Sequence, residues 1–172
     1  QAKRNAEWIR THAKRPVEFH CRTVQPEDFA SLEFLLETDI EHLDCDRCVD
    51  SWKSWEETVQ DIYRIFDGKP GHIARALTET KGKYVDREGL RRQLETLKAV
   101  WPELRERIRR QIIPFDRVRE NLKAVGAPYD PEMIGVTRER FRRTFGYIPY
   151  MRSRFTNIDV LFRCGLMEAL EE

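Results

Sequence analysis

His42-x-x-Cys45-x-x-Cys48, with His20-Cys21 upstream, carries the residue types of a zinc site. Thiolates and imidazoles suit a borderline-soft ion, and Cys-x-x-Cys is a common half-site. The usual structural site has a second pair at knuckle-like spacing, whereas here the second pair is an adjacent His-Cys. Asp44 and Asp46 beside the thiols oppose thiolate formation by like-charge repulsion. The plainer reading is reduced, partly buried cysteines near a helix end, because free cysteine is commonly a small buried hydrophobe. A thioredoxin-like redox role needs a βαβ context that this pattern lacks.

Arginine supplies a second chemistry. Residues 138–154 hold six arginines and one glutamate, while residues 27–50 hold nine acids and one arginine. Arginine forks match phosphate oxygens, so the basic stretch could contact a substrate phosphate or nucleic acid. A nucleic-acid surface, however, normally brings basic excess to the whole domain and a recognisable reading motif. With 31 Lys+Arg against 30 Asp+Glu the chain has neither, and the stretch reads as a solvated helix face. Trp8, Trp52, Trp55 and Trp101 at helical spacing read as packing residues rather than a stacking platform. No Ser-His-Asp or Cys-His arrangement has a supporting motif. The glycines sit singly at turns and helix ends, so none forms a phosphate-cradling loop. No catalytic, cofactor-binding or metal-ligating residue is therefore assigned.

A composition of 40% hydrophobic and 35% charged residues is too apolar for intrinsic disorder and too polar for a membrane protein. No stretch approaches the roughly 20 apolar residues of a transmembrane helix. Four cysteines without a secretion signal fit a reducing cytoplasm. Gln1 is not an initiator, which points to further sequence upstream.

The elements that would position these residues are helical. Leu90, Leu94, Leu97, Trp101, Leu104, Ile108 and Ile112 recur at intervals of three and four across 86–112. Glu88/Arg92, Arg91/Glu95 and Glu103/Arg107 are opposite charges one turn apart on the other face. Pro102 predicts a kink there or a division into two helices. Residues 3–14 predict a short helix with Ala6, Ile9 and Ala13 inward. Pro26 opens another with Phe29, Leu32, Leu35 and Leu36 as its apolar face. Ser51–Phe66, residues 72–80 and Pro114–Val125 follow, the last ended by Gly126. Asp130-Pro131-Glu132 starts a short helix that Gly135 stops, and Thr137 caps the next, with Phe141, Phe145 and Ile148 inward. Thr156-Asn157-Ile158-Asp159 is an acid variant of the capping box. Only residues 17–24 alternate like a strand, and one strand makes no sheet. The fold class is all-α, a multi-helix bundle with at most one short strand at 17–24.

From Trp52 onward the chain resembles the C-terminal helical region of the sn-glycerol-1-phosphate dehydrogenases, relatives of iron-containing alcohol dehydrogenases, glycerol dehydrogenases and dehydroquinate synthases. Three places carry the likeness. Lys81-Gly82-Lys83-Tyr84 leads into the long helix with Trp101. Ala124-Val125-Gly126-Ala127-Pro128, continuing through Asp130-Pro131-Glu132 to Arg138-Glu139, is similar to a family stretch in order and spacing. Met151-Arg152-Ser153-Arg154-Phe155-Thr156-Asn157-Ile158-Asp159-Val160-Leu161 is similar to the family's closing pattern, followed by Gly165-Leu166. Phe155 stands where the family usually has Tyr, Pro102 interrupts a helix that is normally continuous, and residues 1–50 have no clear match.

The resemblance implies hydride transfer between NAD(P)H and dihydroxyacetone phosphate, giving sn-glycerol 1-phosphate, with a divalent ion (zinc, nickel or iron) polarising the carbonyl. It also implies an upstream α/β domain that holds the dinucleotide, and one Asp and two His that hold the metal. No residue here matches those positions, so this segment itself carries no cofactor. Its expected organisation is an N-terminal helical or extended segment at 1–50 and a family-like helical domain at 51–172. Its expected partner is the upstream dinucleotide domain, a partner chain or a second copy, with no nucleic acid and no membrane. The readings that remain open are a non-catalytic helical interaction module and a zinc-binding accessory domain.

Overall fold

The computed structural model describes residues 26–169. In chain order the helices are α1 (Pro26–Glu37), α2 (Cys45–Asp50), α3 (Trp55–Ile65), α4 (Pro70–Lys81), α5 (Arg87–Arg109), α6 (Phe115–Ala124), α7 (Arg138–Phe145) and α8 (Asn157–Arg163). Three 3₁₀ turns intervene at Ile40–His42, Pro131–Ile134 and Ile148–Tyr150, and the described residues contain no strand. The expected helix at 3–14 and strand at 17–24, with Trp8, His20 and Cys21, lie outside the described residues. No described helix is long and apolar enough to cross a membrane.

α5 is the spine. Asp86 caps it, its Oδ1 accepting from the Gly89 amide at 2.7 Å. Leu90, Leu94 and Trp101 are buried, and Leu97, Leu104, Ile108 and Ile112 pack against the same core, so the stripe forms as spaced. The division at Pro102 does not occur: one helix runs through it. Core contacts on both sides, from Trp101 before it and Leu104 and Ile108 after it, keep both turns within one helix. Together they outweigh the roughly 3 kcal/mol that an interior proline costs. Glu88 pairs with Arg92, and Glu103 lies 4.0 Å from Arg107. Arg91 instead reaches Asp46 of α2 at 2.6 Å, a tertiary partner in place of Glu95.

One start and one helix type differ from the sequence expectation. The helix expected from Ser51 begins at Trp55. Ser54 and Glu57 form a full capping box there (Glu57 N to Ser54 Oγ 3.2 Å, Ser54 N to Glu57 Oε2 2.8 Å). Before it, Asp44 caps the short α2 by accepting from the Arg47 amide, which leaves Trp52 in a non-helical link. The turn after Asp130 is 3₁₀ rather than α, with Gly135 at φ 77° closing it, a conformation glycine adopts without steric cost. Thr137 caps α7 as spaced, and Arg138, Arg140, Arg142 and Arg143 are exposed.

Two core clusters result. The larger joins Leu35 and Leu36 of α1, Cys48 and Val49 of α2, the α5 stripe, Phe145, and Ile158, Leu161 and Cys164 around α8. The smaller joins Ile62, Phe66, Ala76 and Tyr150. α8 belongs to both, since Phe162 packs on the smaller cluster while Leu161 is fully buried in the larger.

Candidate functional site

The junction of the two clusters is where charge goes inside. α4 ends at Gly82, and the Lys83 and Tyr84 amides donate back to the Thr80 carbonyl, at 3.1 and 2.9 Å. This turn sends the Lys83 side chain inward, with only 10% of it exposed, to pair with Asp159 Oδ1. Asp159 is itself 4% exposed, and its Oδ2 accepts from the Thr156 amide at 2.8 Å and the Thr156 hydroxyl at 3.0 Å. The reach-back half of the expected capping box thus also holds a buried ammonium. One turn later Arg163 Nη2 donates to the Lys83 carbonyl at 2.5 Å, and its guanidinium lies 4.6 Å from the Phe155 ring centroid. Arg163 is 8% exposed and forms no ion pair among the described residues.

Around this charge cluster stand aromatic walls. Trp52 Nε1 donates to the Val85 carbonyl at 2.8 Å, and its ring stacks on Tyr84 and meets Phe162 edge-on at 5.5 Å. Phe162 in turn meets Tyr150 at 5.9 Å. These rings, with Lys53, Lys83, Asp159 and Arg163, line a cavity of about 130 Å³. Lys53 and Arg64 both pair with Asp61, which is 7% exposed. On its other side Arg163 lines an open groove of about 730 Å³ beside α5, where Val100 and Phe155 are exposed. Trp101 is core as expected, but Trp52 frames the cavity, and Trp55 lies under the Lys81 ammonium at 4.3 Å.

Among the described residues, the members of the zinc-like constellation turn to other partners. His42 Nδ1 bonds Asp39 at 2.9 Å, while the Cys48 thiol points to the Cys164 carbonyl at 3.3 Å. Among the described residues no three His, Cys, Asp or Glu side chains gather where they could hold a metal. Burial is the main cause that raises the Cys48 thiol, with Cys45 and Asp44 adding to it, so the acid effect inferred from sequence is secondary. Cys164 is pushed up to about 12, again chiefly by burial. Neither thiol is a thiolate nucleophile at neutral pH.

Tyr150 is also pushed up to about 12, by burial first and by the Asp61 carboxylate second. Unfolding releases both groups to ordinary values, so above about pH 9–10 the unfolded chain binds fewer protons than the folded one. Stability therefore falls as pH rises toward 12. A Tyr150→Phe variant should flatten the fall between pH 10 and 12 by about 2–3 kcal/mol in urea titrations. An unchanged slope would mean that the phenol is not buried as described.

The geometry joins two of the three stretches that carry the sequence resemblance. Lys83 and Asp159 pair, and the Ser153 amide donates to Glu79 Oε2 at 2.7 Å. The arginines of the basic stretch stay on the surface, where Arg138 pairs with Asp130. Sequence reasoning passed over Lys83, Tyr150 and Arg163. The available signal was a lone Arg on the apolar face of a short helix that begins with an acid cap. Comparison with protein-family models, with curated proteins and with solved structures finds no match to this chain.

Proposed function

We propose that this chain is the helical C-terminal part, or a diverged relative of it, of an NAD(P)- and metal-dependent glycerol-1-phosphate dehydrogenase. It forms one wall of the active-site cleft and is not catalytic alone. The observation that supports this reading is the Lys83–Asp159 pair, because it ties together two separate family-like stretches through buried side chains. The described residues do not fit the metal or the dinucleotide. No three ligating side chains converge, and no run of glycines opens a helix toward a phosphate. No step is therefore routed through either group, and an upstream domain would supply both. The free thiols among the described residues, Cys45, Cys48 and Cys164, support a reducing, cytoplasmic setting.

Ile113, Val125, Met133 and Ile134, before and after α6, are each about half exposed. They favour a surface on which the upstream domain or a partner chain packs, and the same feature would serve a non-catalytic helical interaction module. Hydride transfer requires nicotinamide, carbonyl and metal in near-contact geometry. The isolated chain should therefore show no NAD(P)H binding by calorimetry and no reduction of dihydroxyacetone phosphate with added zinc, nickel or iron. Micromolar binding or metal-dependent turnover would overturn the assignment of these residues to packing.

A further inference from the structure

We propose that the cavity between α8, the α4–α5 turn and the 148–150 turn binds a small organic monocarboxylate, anchored by Arg163. This does not rest on the dehydrogenase reading. Arg163 is 8% exposed, yet one hydrogen bond, from Nη2 to the Lys83 carbonyl, is all that it makes among the described residues. A guanidinium carries five N–H donors. The donors left over are not sealed in protein: among the described residues only Trp101 Nε1 and Arg105 Nε are buried without a partner. They therefore open to the cavity and the groove that Arg163 lines.

Charge decides the ligand's class. Asp159 is the acid nearest in sequence, but Lys83 and Thr156 already occupy its two oxygens. Lys53 and Arg64 share the single Asp61 carboxylate at the mouth, where both cations reach solvent and their surplus charge is screened by water. Lys83 and Arg163 share the one inward carboxylate of Asp159, so one inward positive charge remains in surplus, and a buried surplus cation is unfavourable until an anion joins it. A single surplus charge matches a monoanion rather than a phosphate dianion. The planar fork matches a carboxylate in bidentate geometry. Tyr150 lines the same cavity, and its hydroxyl makes no hydrogen bond among the described residues. Held protonated by burial, it is a neutral donor for the second carboxylate oxygen. Trp52 and Phe162 supply apolar walls for a short carbon body. A volume of about 130 Å³ equals roughly four waters, which sets the size of that body at a few carbons.

Propionate is the probe, with propionamide and inorganic phosphate as controls, titrated into the full chain by calorimetry and by proton–nitrogen NMR of the Arg163 side chain. Propionate should bind with a Kd in the low millimolar range or tighter and shift the Arg163 Nε–H resonance. Propionamide and phosphate should bind at least ten-fold more weakly. Arg163→Gln should lose binding at least ten-fold, and Arg163→Lys should lose less. Tyr150→Phe, which removes only a hydroxyl, should weaken binding several-fold with the fold retained. Three results would overturn the proposal: equal affinity for propionamide, tighter binding of phosphate, or no Arg163 shift on saturation. Those tests use the wild-type chain and hold even if Arg163→Gln fails to fold.

Discussion

Replacing Asp159 with alanine should destabilise the chain by about 3–5 kcal/mol, among the largest single-residue effects in the fold. At this size that is a fall of roughly 6–20 °C in melting temperature. Asp159 is 4% exposed, so the Lys83 ammonium it partners would be left inside without a counter-charge, close to the unpaired Arg163. The Thr156 amide and hydroxyl would lose their acceptor at the start of α8 in the same step. Lys83→Met should cost less, because Asp159 would keep both hydrogen bonds from Thr156. In the Lys83→Met/Asp159→Ala double variant the loss should fall short of the sum by about 1–3 kcal/mol, since residues in one ion-pair network couple. Strict additivity in urea denaturation would show that the two side chains do not meet.

Trp101 carries the second large effect. It is 1% exposed at the centre of α5, one residue before Pro102. Trp101→Ala opens a cavity against the larger core and should cost about 3–5 kcal/mol. The indole N–H has no hydrogen-bond partner among the described residues. Trp101→Phe removes that unsatisfied donor along with part of the ring, and the two effects oppose each other. The phenylalanine variant should therefore lose less than half of what the alanine variant loses. Equal losses would mean that the indole nitrogen does have a partner. A small loss in Trp101→Ala would mean that α5 is not the spine.

Most of the helices were legible because their signals are local. The α5 stripe, the Thr137 cap, the Gly126 stop and the Thr156–Asp159 box are each read within a few residues, and each forms. Where local signals compete, one of them must yield. The apolar spacing across Ser51–Phe66 suggested one helix, but the Ser54–Glu57 capping box starts it four residues late, at Trp55. Pro102 suggested a kink or a division into two helices, and core contacts on both sides keep one helix running through it. The charged cavity was illegible for a different reason. Lys83 and Asp159 are 76 residues apart, and Trp52 meets Val85 across 33. No period or cap announces a long-range pair. The His–Cys pattern drew attention because its spacing is local, yet its described members turn to Asp39 and to the Cys164 carbonyl instead of to one another.

The most direct measurement of the functional reading is made on the complete product of the coding region. That region should encode, upstream of this chain, a strand, a glycine-rich turn and a helix. The complete protein should reduce dihydroxyacetone phosphate with NAD(P)H in a metal-dependent assay, while residues 1–172 alone do not. A complete product that lacks such a domain, or that has one but shows no metal-dependent reduction of dihydroxyacetone phosphate, would contradict the reading.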